Sequence, residues 1–370
     1  MTRLAPRRIL AACAAGVAVA LIAGCTGSSP SPSASPGGGT TRPATTLSTP
    51  TTPSDLGAGG LAQALQQAYT SVVQEVLPSV VEITTGQGLG SGIVFDDKGD
   101  IVTNAHVVGT ATSFQVRLAT GAASMAATLV GTYLPDDLAV IRVSDAKDLR
   151  PATFADSSKV RVGDIVLAMG NPLGLNSSVT EGIVSATGRT VTEPQSADSP
   201  GATLPNVIQT SAAINPGNSG GALVDLAGQV IGIPTLAAQD PQMGGAAPGI
   251  GFAIPSNTVK NIAGQLVDNG KVTNSNRAAL GVTVVTVTDQ TGAPAGAGIV
   301  KEEPDGAAAA AGIKAGDIIT AVGDTKIPDV ATLTTVLASM SPGDKTKISF
   351  LTSDGVSKTA SVTLGELKSG

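Results

Sequence analysis

Residues 214–221 read INPGNSGG, and the assignment of the fold depends on the serine in this stretch. Ser219 lies between glycines at the end of a strand-like run, so its backbone can approach a substrate closely. Neighbouring N–H groups in such a turn can also face a developing oxyanion. Because glycine-flanked serines also occur in ordinary turns, Ser219 is a candidate nucleophile only if partner residues exist elsewhere in the chain.

The letters GNSGG also satisfy G-x-S-x-G, the nucleophile elbow of esterases with an α/β-hydrolase fold. That elbow requires a helix directly after the serine, and its acid and histidine follow later in the chain. Here ALVD at residues 222–225 reads as another strand, and His106, the only histidine, comes before Ser219. The esterase alternative therefore disagrees with the sequence in both order and context.

His106 lies in TNAHVV, residues 103–108, which by itself reads as the end of an apolar strand with an incidental polar residue. In chain order it is followed by two adjacent acids, Asp136 and Asp137, and then by Ser219. Serine proteases built on two antiparallel barrels use this order of residues. The order therefore favours His106 as a general base with one of the two acids as its partner.

Short β-rich runs between residues 79 and 254 agree with that architecture. They alternate with turn residues at fairly even intervals, which is typical of antiparallel barrels or a sandwich. Helical spacing predicts one helix at 61–76 and another within 254–270, with Ser256 as its N-cap and Gly270 at its end. The first domain is therefore predicted to be mainly β.

The pattern changes after residue 270. Residues 271–278 are polar and predict a linker. Strands then alternate with a small-residue helix and with a helix that begins near Asp329, and Asp354-Gly355 predicts the turn of a hairpin. This second unit is predicted to be a small α+β domain.

Several motifs in one order resemble a known protein family. They are GSGIVFDDKGDIVTNAHVV (90–108), DDLAVIRV (136–143), GNPLGLNSSVTEGIVSA (170–186), AAINPGNSGGALVD (212–225) and GIGFAIPS (249–256). These motifs resemble the HtrA (Deg) family of trypsin-like serine proteases. The resemblance implies a double antiparallel β-barrel, chymotrypsin-like protease domain at residues 61–270. Within DDLAV it matches the second acid, so Asp136 is expected to be a solvated turn residue.

The resemblance implies a role for each residue of a catalytic triad. His106 is the general base, Asp137 orients it and stabilises the imidazolium, and Ser219 is the nucleophile. A serine hydroxyl needs such a base because it is otherwise a weak nucleophile. The implied oxyanion hole consists of Gly217, Asn218 and Ser219, with the N–H groups of Gly217 and Ser219 as donors.

An apolar substrate pocket is also implied, and its lining favours small aliphatic residues before the cleaved bond. Its residues are Ile214, Ile233, Pro234 and Thr235. The sequence departs from the family pattern at Ser211, where Asp is common, and at Pro234, where Asn is common. Because proline lacks an N–H group, the pocket wall and the activation state can differ from those of relatives.

Residues 279–368 resemble a PDZ domain, the usual companion of this protease family. ALGV at 279–282 corresponds to a carboxylate-binding loop, and GIKAGDIITAVGDTKI at 312–327 is PDZ-like. A peptide C-terminus would add as a strand beside LGVTVV, residues 280–285. The implied peptide-binding residues are Leu280, Gly281, Val282, Val336 and Leu337.

The N-terminus has the layout of an export signal. Residues 1–24 carry three arginines before an apolar run that is short for a membrane span. The ending LIAGC resembles the lipobox of bacterial lipoproteins, which implies cleavage before Cys25 and lipidation of its thiol; an uncleaved anchor is the alternative. Residues 25–60 are rich in Ser, Thr, Pro and Gly and predict a flexible stalk. The folded part is expected at the extracytoplasmic face of the bacterial cytoplasmic membrane.

Charge and cysteine content exclude several classes of site. The 370-residue chain has a formal net charge of −6 and two cysteines, Cys13 and Cys25. A negatively charged chain does not attract nucleic acid, and no Cys/His cluster with metal-ligand spacing is present. We therefore expect no nucleic-acid partner, no metal ion and no other cofactor.

These features predict a lipid-anchored, ATP-independent serine endoprotease that hydrolyses misfolded or selected extracytoplasmic proteins. Its PDZ domain is expected to bind peptide C-termini for regulation or substrate capture. The resemblance also implies a homotrimer assembled through the N-terminal part of the protease domain, with Tyr69 and its helix as candidates. The alternative is a chaperone-like or scaffolding PDZ protein with a dormant protease site.

Overall fold

Six antiparallel strands form a first closed barrel, in the order β1-β2-β3-β6-β5-β4. The computed structural model describes residues 58–86, 88–119, 121, 124–171, 178–193, 202–215, 217–240 and 245–368. The strands of this barrel are Val80–Thr84 (β1), Leu89–Val94 (β2), Asp100–Thr103 (β3), Ser113–Leu118 (β4), Met125–Tyr133 (β5) and Leu138–Val143 (β6).

Alternating side chains fill the first barrel. On β4 every second residue is buried, namely Phe114, Val116 and Leu118. They pack with Ile83 and Ile141 in one hydrophobic core cluster. Burial on every second residue follows from strand geometry when one face of a strand lies against a core.

The next six strands form a second closed barrel, in the order β10-β11-β12-β9-β8-β7. They are Ile165–Gly170 (β7), Ser178–Glu193 (β8), Ala202–Thr210 (β9), Ala222–Asp225 (β10), Val230–Asp240 (β11) and Gly245–Pro255 (β12). The prediction of a double antiparallel barrel is confirmed, and the sandwich alternative is wrong.

Two long helices pack against a core that both barrels share. Helix α1 (Ala58–Val76) contributes Val72 and Val76, and helix α3 (Ser256–Asn269) contributes Ile262 and Leu266. Helix α2 (Ala105–Val108) is a single turn between β3 and β4.

The two ends of α3 differ in how well the sequence predicted them. Gly270 has φ +67 and ends the helix as expected, because glycine adopts this left-handed conformation without strain. The prediction of Ser256 as N-cap is wrong. Pro255 occupies the cap position, and the Ser256 hydroxyl donates to the carbonyl oxygen of Ala155 at 2.9 Å.

The chain after α3 forms sheets with a core of their own. Strands β13 (Ala278–Ala279) and β20 (Gly365–Glu366) pair with each other, and the main sheet has the order β14-β15-β16-β18-β19, with β17 beside β16. The remaining elements are Val282–Thr288 (β14), Pro294–Glu302 (β15), Ala307–Ala310 (α4), Ile318–Val322 (β16), Thr325–Lys326 (β17), Val330–Ala338 (α5), Lys345–Leu351 (β18) and Ser357–Thr363 (β19).

Two details of this α+β unit were predicted. The Asp329 carboxylate caps α5 and accepts the N–H of Thr332 at 2.7 Å. Gly355, with φ +81, turns the hairpin between β18 and β19. Both features depend on local residue types, and the sequence therefore reveals them.

Candidate active site

His106 lies on a helical turn and not at the end of a strand. Strand β3 ends at Thr103 and α2 begins at Ala105, so the interpretation of TNAHVV as a strand end is wrong. The first N–H groups of a helix need acceptors from outside. Asp137 supplies them: its carbonyl oxygen accepts from Ala105 at 3.1 Å and its carboxylate accepts from the His106 amide at 3.0 Å. Asn104 Nδ2 also donates to that carbonyl, at 3.0 Å, so α2 is fixed against Asp137.

Asp137 presents a buried carboxylate to the imidazole ring. Its Oδ2 lies 2.8 Å from His106 Nδ1, and the exposed fractions of the two side chains are 5% and 22%. Thr235 Oγ1 donates to the same oxygen at 2.6 Å. A carboxylate that accepts the Nδ1 proton selects the tautomer whose Nε2 carries no proton and can accept one. The pair therefore has the arrangement that a general base requires.

Asp136 is neither the partner of His106 nor solvated. Its side chain is 4% exposed, and its Oδ1 accepts from Arg277 Nη1 at 2.9 Å. Burial raises the pKa of the Asp136 carboxyl above its ordinary value, and the guanidinium of Arg277 lowers it only in part. The expectation of a solvated turn residue is wrong because the segment after α3 covers this turn.

Ser219 lies in the turn at 217–220, directly before β10. Its hydroxyl donates to the carbonyl oxygen of Thr235 at 3.3 Å, and its own carbonyl accepts from the Ser91 amide at 3.1 Å. Gly220 has φ +80, and a Cβ there would lie 2.2 Å from the Ser91 carbonyl oxygen. The close approach of the two barrels at Ser219 therefore requires glycine at this position.

Thr235 connects the candidate nucleophile with the candidate acid. Its carbonyl oxygen accepts from Ser219, while its hydroxyl donates to Asp137. The sequence implied a place for Thr235 in the substrate pocket and did not indicate either contact. No local signal could have done so, since Thr235 and Asp137 are 98 positions apart and meet only where the barrels pack together.

The turn around Ser219 has two engaged amides, those of Asn218 and Gly220. The Asn218 N–H donates to the Asn215 carbonyl at 3.0 Å, and its side chain donates to the Ala213 carbonyl at 3.1 Å. Gly217 has φ +107, a conformation that favours glycine. Asn218 is thus held in place. That the N–H groups of Gly217 and Ser219 serve as oxyanion donors stays a prediction.

All four residues implied for the substrate pocket are buried in this conformation. Ile233 belongs to the core shared by the barrels, and Ile214, at 7% exposure, belongs to a core cluster of the second barrel. The Pro234 carbonyl accepts the Gly220 amide at 3.0 Å. Pro234 and Thr235 therefore contact the turn of Ser219 directly, while Ile233 packs in the core.

The residues implied for peptide binding surround an edge strand. Among the described residues β14 pairs only with β15, which leaves its other edge open to an added strand, and α5 contacts β14. Val282 begins β14, Gly281 before it has φ +70, and Leu280 is buried. Val336 and Leu337 on α5 are partly buried against the same core.

The remaining predictions concern the N-terminal part of the chain. Cys25, the predicted signal peptide and the stalk up to residue 57 lie outside the described residues, and residues 58–60 belong to α1. On α1 the Tyr69 hydroxyl donates to Glu181 Oε2 at 3.4 Å. No helix within the described ranges is long and apolar enough to cross a membrane. Those ranges also contain no group of three or more His, Cys, Asp or Glu that could hold a metal ion.

Two family models match this chain. The trypsin-like peptidase domain matches residues 90–233, and the PDZ domain matches residues 278–364. The first match runs from β2 into β11, and the second covers nearly all of the C-terminal α+β unit.

Curated proteins and solved structures are similar over longer ranges. Periplasmic serine endoprotease DegP of Escherichia coli (strain K12) is 42% identical over 268 residues, 71% of this chain and 54% of DegP. Serine protease Do-like HtrA of Lactococcus lactis subsp. cremoris is 40% identical over 294 residues, 75% of this chain and 70% of the relative. A crystal structure of the serine endoprotease from Yersinia pestis matches with a TM-score of 0.54 and 34% identity, over 81% of this chain and 98% of that one.

The chain spans about half the length of DegP, and it covers more than two thirds of the Lactococcus protease. The matched regions include the turn of Ser219 and the segments of His106 and Asp137. From the fold, the two family matches and these identities, the chain belongs to the HtrA (Deg) family of trypsin-like serine proteases with a PDZ domain.

Proposed function

We propose that this chain is an ATP-independent serine endopeptidase that hydrolyses misfolded or selected extracytoplasmic proteins. The observation that carries the proposal is the hydrogen-bonded group of His106, Asp137 and Thr235, to which Ser219 is joined through the Thr235 carbonyl. Relatives whose names describe serine endoproteases support the reaction class.

In the proposed mechanism His106 Nε2 removes the proton of the Ser219 hydroxyl as Oγ attacks the substrate carbonyl carbon. The bond formed is Oγ–C, and the electrons of the carbonyl π bond move to its oxygen. The N–H groups of Gly217 and Ser219 stabilise this oxyanion. Asp137 stabilises the imidazolium and keeps the ring in the required orientation.

Collapse of the tetrahedral intermediate breaks the C–N bond, and His106 gives its proton to the leaving amine. A water molecule then attacks the acyl-enzyme, with His106 as base again, and releases Ser219 and the new carboxylate. No step of this reaction requires a nucleotide, so hydrolysis proceeds without ATP.

Casein, an unfolded protein, tests the substrate class and the proposed preference for small aliphatic residues before the cleaved bond. We expect internal fragments that end in Ala or Val when the purified chain digests casein and mass spectrometry identifies the products. Fragments that end mainly in Lys or Arg would contradict the apolar pocket around Ile214. Hydrolysis of short acyl esters without any casein cleavage would support an esterase instead.

We propose that peptide C-termini bind along β14, with the last side chain near Val336 and Leu337. A fluorescein-labelled decapeptide ending in valine should bind the chain, and Val336→Asp should weaken binding at least about tenfold because it places a charge in the apolar pocket. Fluorescence anisotropy measures both affinities.

The same peptide with an amidated C-terminus is the control for this groove. It should bind at least about tenfold more weakly, because the carboxylate can no longer accept backbone N–H groups of the loop at Leu280 to Val282. Equal affinity of the free and amidated peptides would show that the C-terminus is not what the domain recognises.

We propose that Cys25 carries the lipid that anchors the chain to the extracytoplasmic face of a bacterial membrane. The arginine-led apolar segment and LIAGC support the proposal, and DegP is named as periplasmic. Intact-mass analysis of the membrane fraction should find a chain that begins at Cys25 with added acyl groups. Cys25→Ser should abolish the acyl mass, and an unprocessed chain in the wild type would contradict cleavage and lipidation.

We also propose a homotrimer that forms through the N-terminal part of the protease domain. Leu61 and Leu65 on α1 are 58% and 41% exposed, and α1 therefore presents apolar surface that a second copy could cover. Sedimentation equilibrium of the purified chain should give three times the monomer mass, and a monomer mass at micromolar concentration would refute the trimer.

A further inference from the structure

The turn that carries Asp137 has an unusual backbone. Asp137 has φ +49 and ψ 42, a left-handed conformation that few residues other than glycine adopt, although aspartate tolerates it better than most. It follows the short 3-10 turn Leu134–Asp136, and its amide donates to the Leu134 carbonyl at 3.0 Å. A turn of this kind keeps its shape only when surrounding groups hold it. Because an aspartate side chain is short, the position of its carboxylate beside His106 depends on this backbone.

Arg277 provides contacts that hold the turn. Its Nη1 donates to the carbonyl oxygen of Pro135 and, at 2.9 Å, to Asp136 Oδ1. Its Nη2 donates to the carbonyl oxygen of Thr203 at 2.9 Å. Pro135 and Asp136 belong to the first barrel and Thr203 to β9 of the second. One guanidinium therefore connects the two barrels immediately before Asp137 in the chain.

The main chain of Arg277 is fixed by the C-terminal unit. Its N–H donates to Ser275 Oγ at 3.2 Å, and its carbonyl accepts from the Leu367 amide at 2.8 Å. The hydroxyls of Ser275 and Tyr133 lie 2.7 and 3.2 Å from the Leu367 carbonyl oxygen, to which they donate. The next residue, Ala278, begins β13, which pairs with β20. Arg277 thus has its backbone in the C-terminal unit and its side chain in the protease domain.

The ion pair of Arg277 and Asp136 is weak evidence for a stabilising role of Arg277. Both side chains are buried, at 7% and 4% exposure, and a single hydrogen bond joins their charged groups. A buried pair of this kind stabilises a fold no better than apolar side chains of similar volume, because desolvation offsets the attraction. Its effect must therefore be sought in the placement of the turn.

We propose that Arg277 is a positioning residue for the proposed peptidase: through its contacts with Pro135, Asp136 and Thr203 it holds the turn that aims the Asp137 carboxylate at His106. The inference rests on the proposed function, because the position of Asp137 matters for rate only if Asp137 serves the triad. Arg277 acts through Asp137, because its side chain donates to Pro135, Asp136 and Thr203.

A double-mutant cycle tests this role. Arg277→Lys keeps the charge, but an ammonium group cannot reach the three acceptors at once as the planar guanidinium does. In the wild-type background the variant should lower kcat about 10- to 100-fold while KM for casein changes less than about threefold. In the Asp137→Asn background the same substitution should change kcat less than about threefold, because the carboxylate that it positions is already gone.

Arg142→Lys is the matched control. Arg142 lies on β6, after the turn in the same barrel. Its guanidinium donates two hydrogen bonds, both 2.7 Å long, to the carboxylate of the fully buried Asp100. The kcat of the Arg142→Lys variant should stay within about twofold of its parent, both in the wild-type and in the Asp137→Asn background. Circular dichroism of each variant establishes that it is folded.

Asp136→Asn is the second variant if Arg277→Lys does not fold. It weakens the same contact without removing the guanidinium, and we expect a kcat loss of about 3- to 10-fold in the wild-type background only. An unchanged kcat, a loss confined to KM, or an equal loss in both backgrounds would overturn the positioning role. A wild-type chain that cleaves no casein would overturn the proposed function and this inference with it.

Discussion

Ser219→Ala is expected to lower kcat for casein about 10⁴- to 10⁶-fold, with the chain still folded. The substitution removes the only atom that forms the acyl-enzyme bond in the proposed mechanism. Loss of the hydroxyl also removes its hydrogen bond to the Thr235 carbonyl, but the turn keeps the Ser219 carbonyl contact with the Ser91 amide. Initial rates with fluorescently labelled casein measure the loss.

Residual activity of Ser219→Ala would come from binding and from the oxyanion donors alone, because N–H groups remain after the substitution. Thermal unfolding followed by circular dichroism provides the control for folding, and the midpoint should lie near that of the wild type. Equal casein turnover by the two proteins would reject the peptidase assignment and leave the chaperone-like or scaffolding alternative.

Asp137→Asn is expected to lower kcat about 10⁴-fold with little change in KM. Asp137 Oδ2 faces two donors, His106 Nδ1 and Thr235 Oγ1, while Oδ1 accepts the His106 amide. An amide NH₂ in place of Oδ2 would donate to Nδ1 and select the tautomer whose Nε2 carries the proton. That imidazole cannot take the proton of Ser219.

The neighbouring acid supplies the control for this prediction. Asp136→Asn removes a charge from the same turn, but Asp136 binds Arg277 and not His106. Its effect on kcat should therefore be about a thousandfold smaller than that of Asp137→Asn. Similar losses from the two substitutions would mean that the turn as a whole, and not the Asp137 carboxylate, determines activity.

The residue order of the site could be predicted because it is encoded in short motifs. His106, the pair Asp136-Asp137 and Ser219 each lie in a short motif that is visible in the sequence. Short β-rich runs between turn residues likewise predicted antiparallel barrels or a sandwich, and the resemblance to the family implied the double barrel.

Contacts between distant segments could not be predicted. Thr235 meets Asp137, and Arg277 meets Asp136, only because the barrels and the segment after α3 pack there. The sequence alone therefore predicts a solvated turn residue at Asp136, although burial and Arg277 determine its environment. Ser256 was misassigned for a similar reason, because the carbonyl of Ala155, about a hundred residues earlier, takes its hydroxyl.

Covalent labelling with a fluorophosphonate probe tests whether a general base activates Ser219, because the probe reacts with an activated serine. The purified chain is incubated with the probe above neutral pH, and the modified peptide is identified by mass spectrometry. We expect modification of Ser219 in the wild type, none at this position in Ser219→Ala, and a large decrease in His106→Ala. Absence of label from wild-type Ser219, or equal labelling in His106→Ala, would contradict the roles of Ser219 as nucleophile and His106 as base.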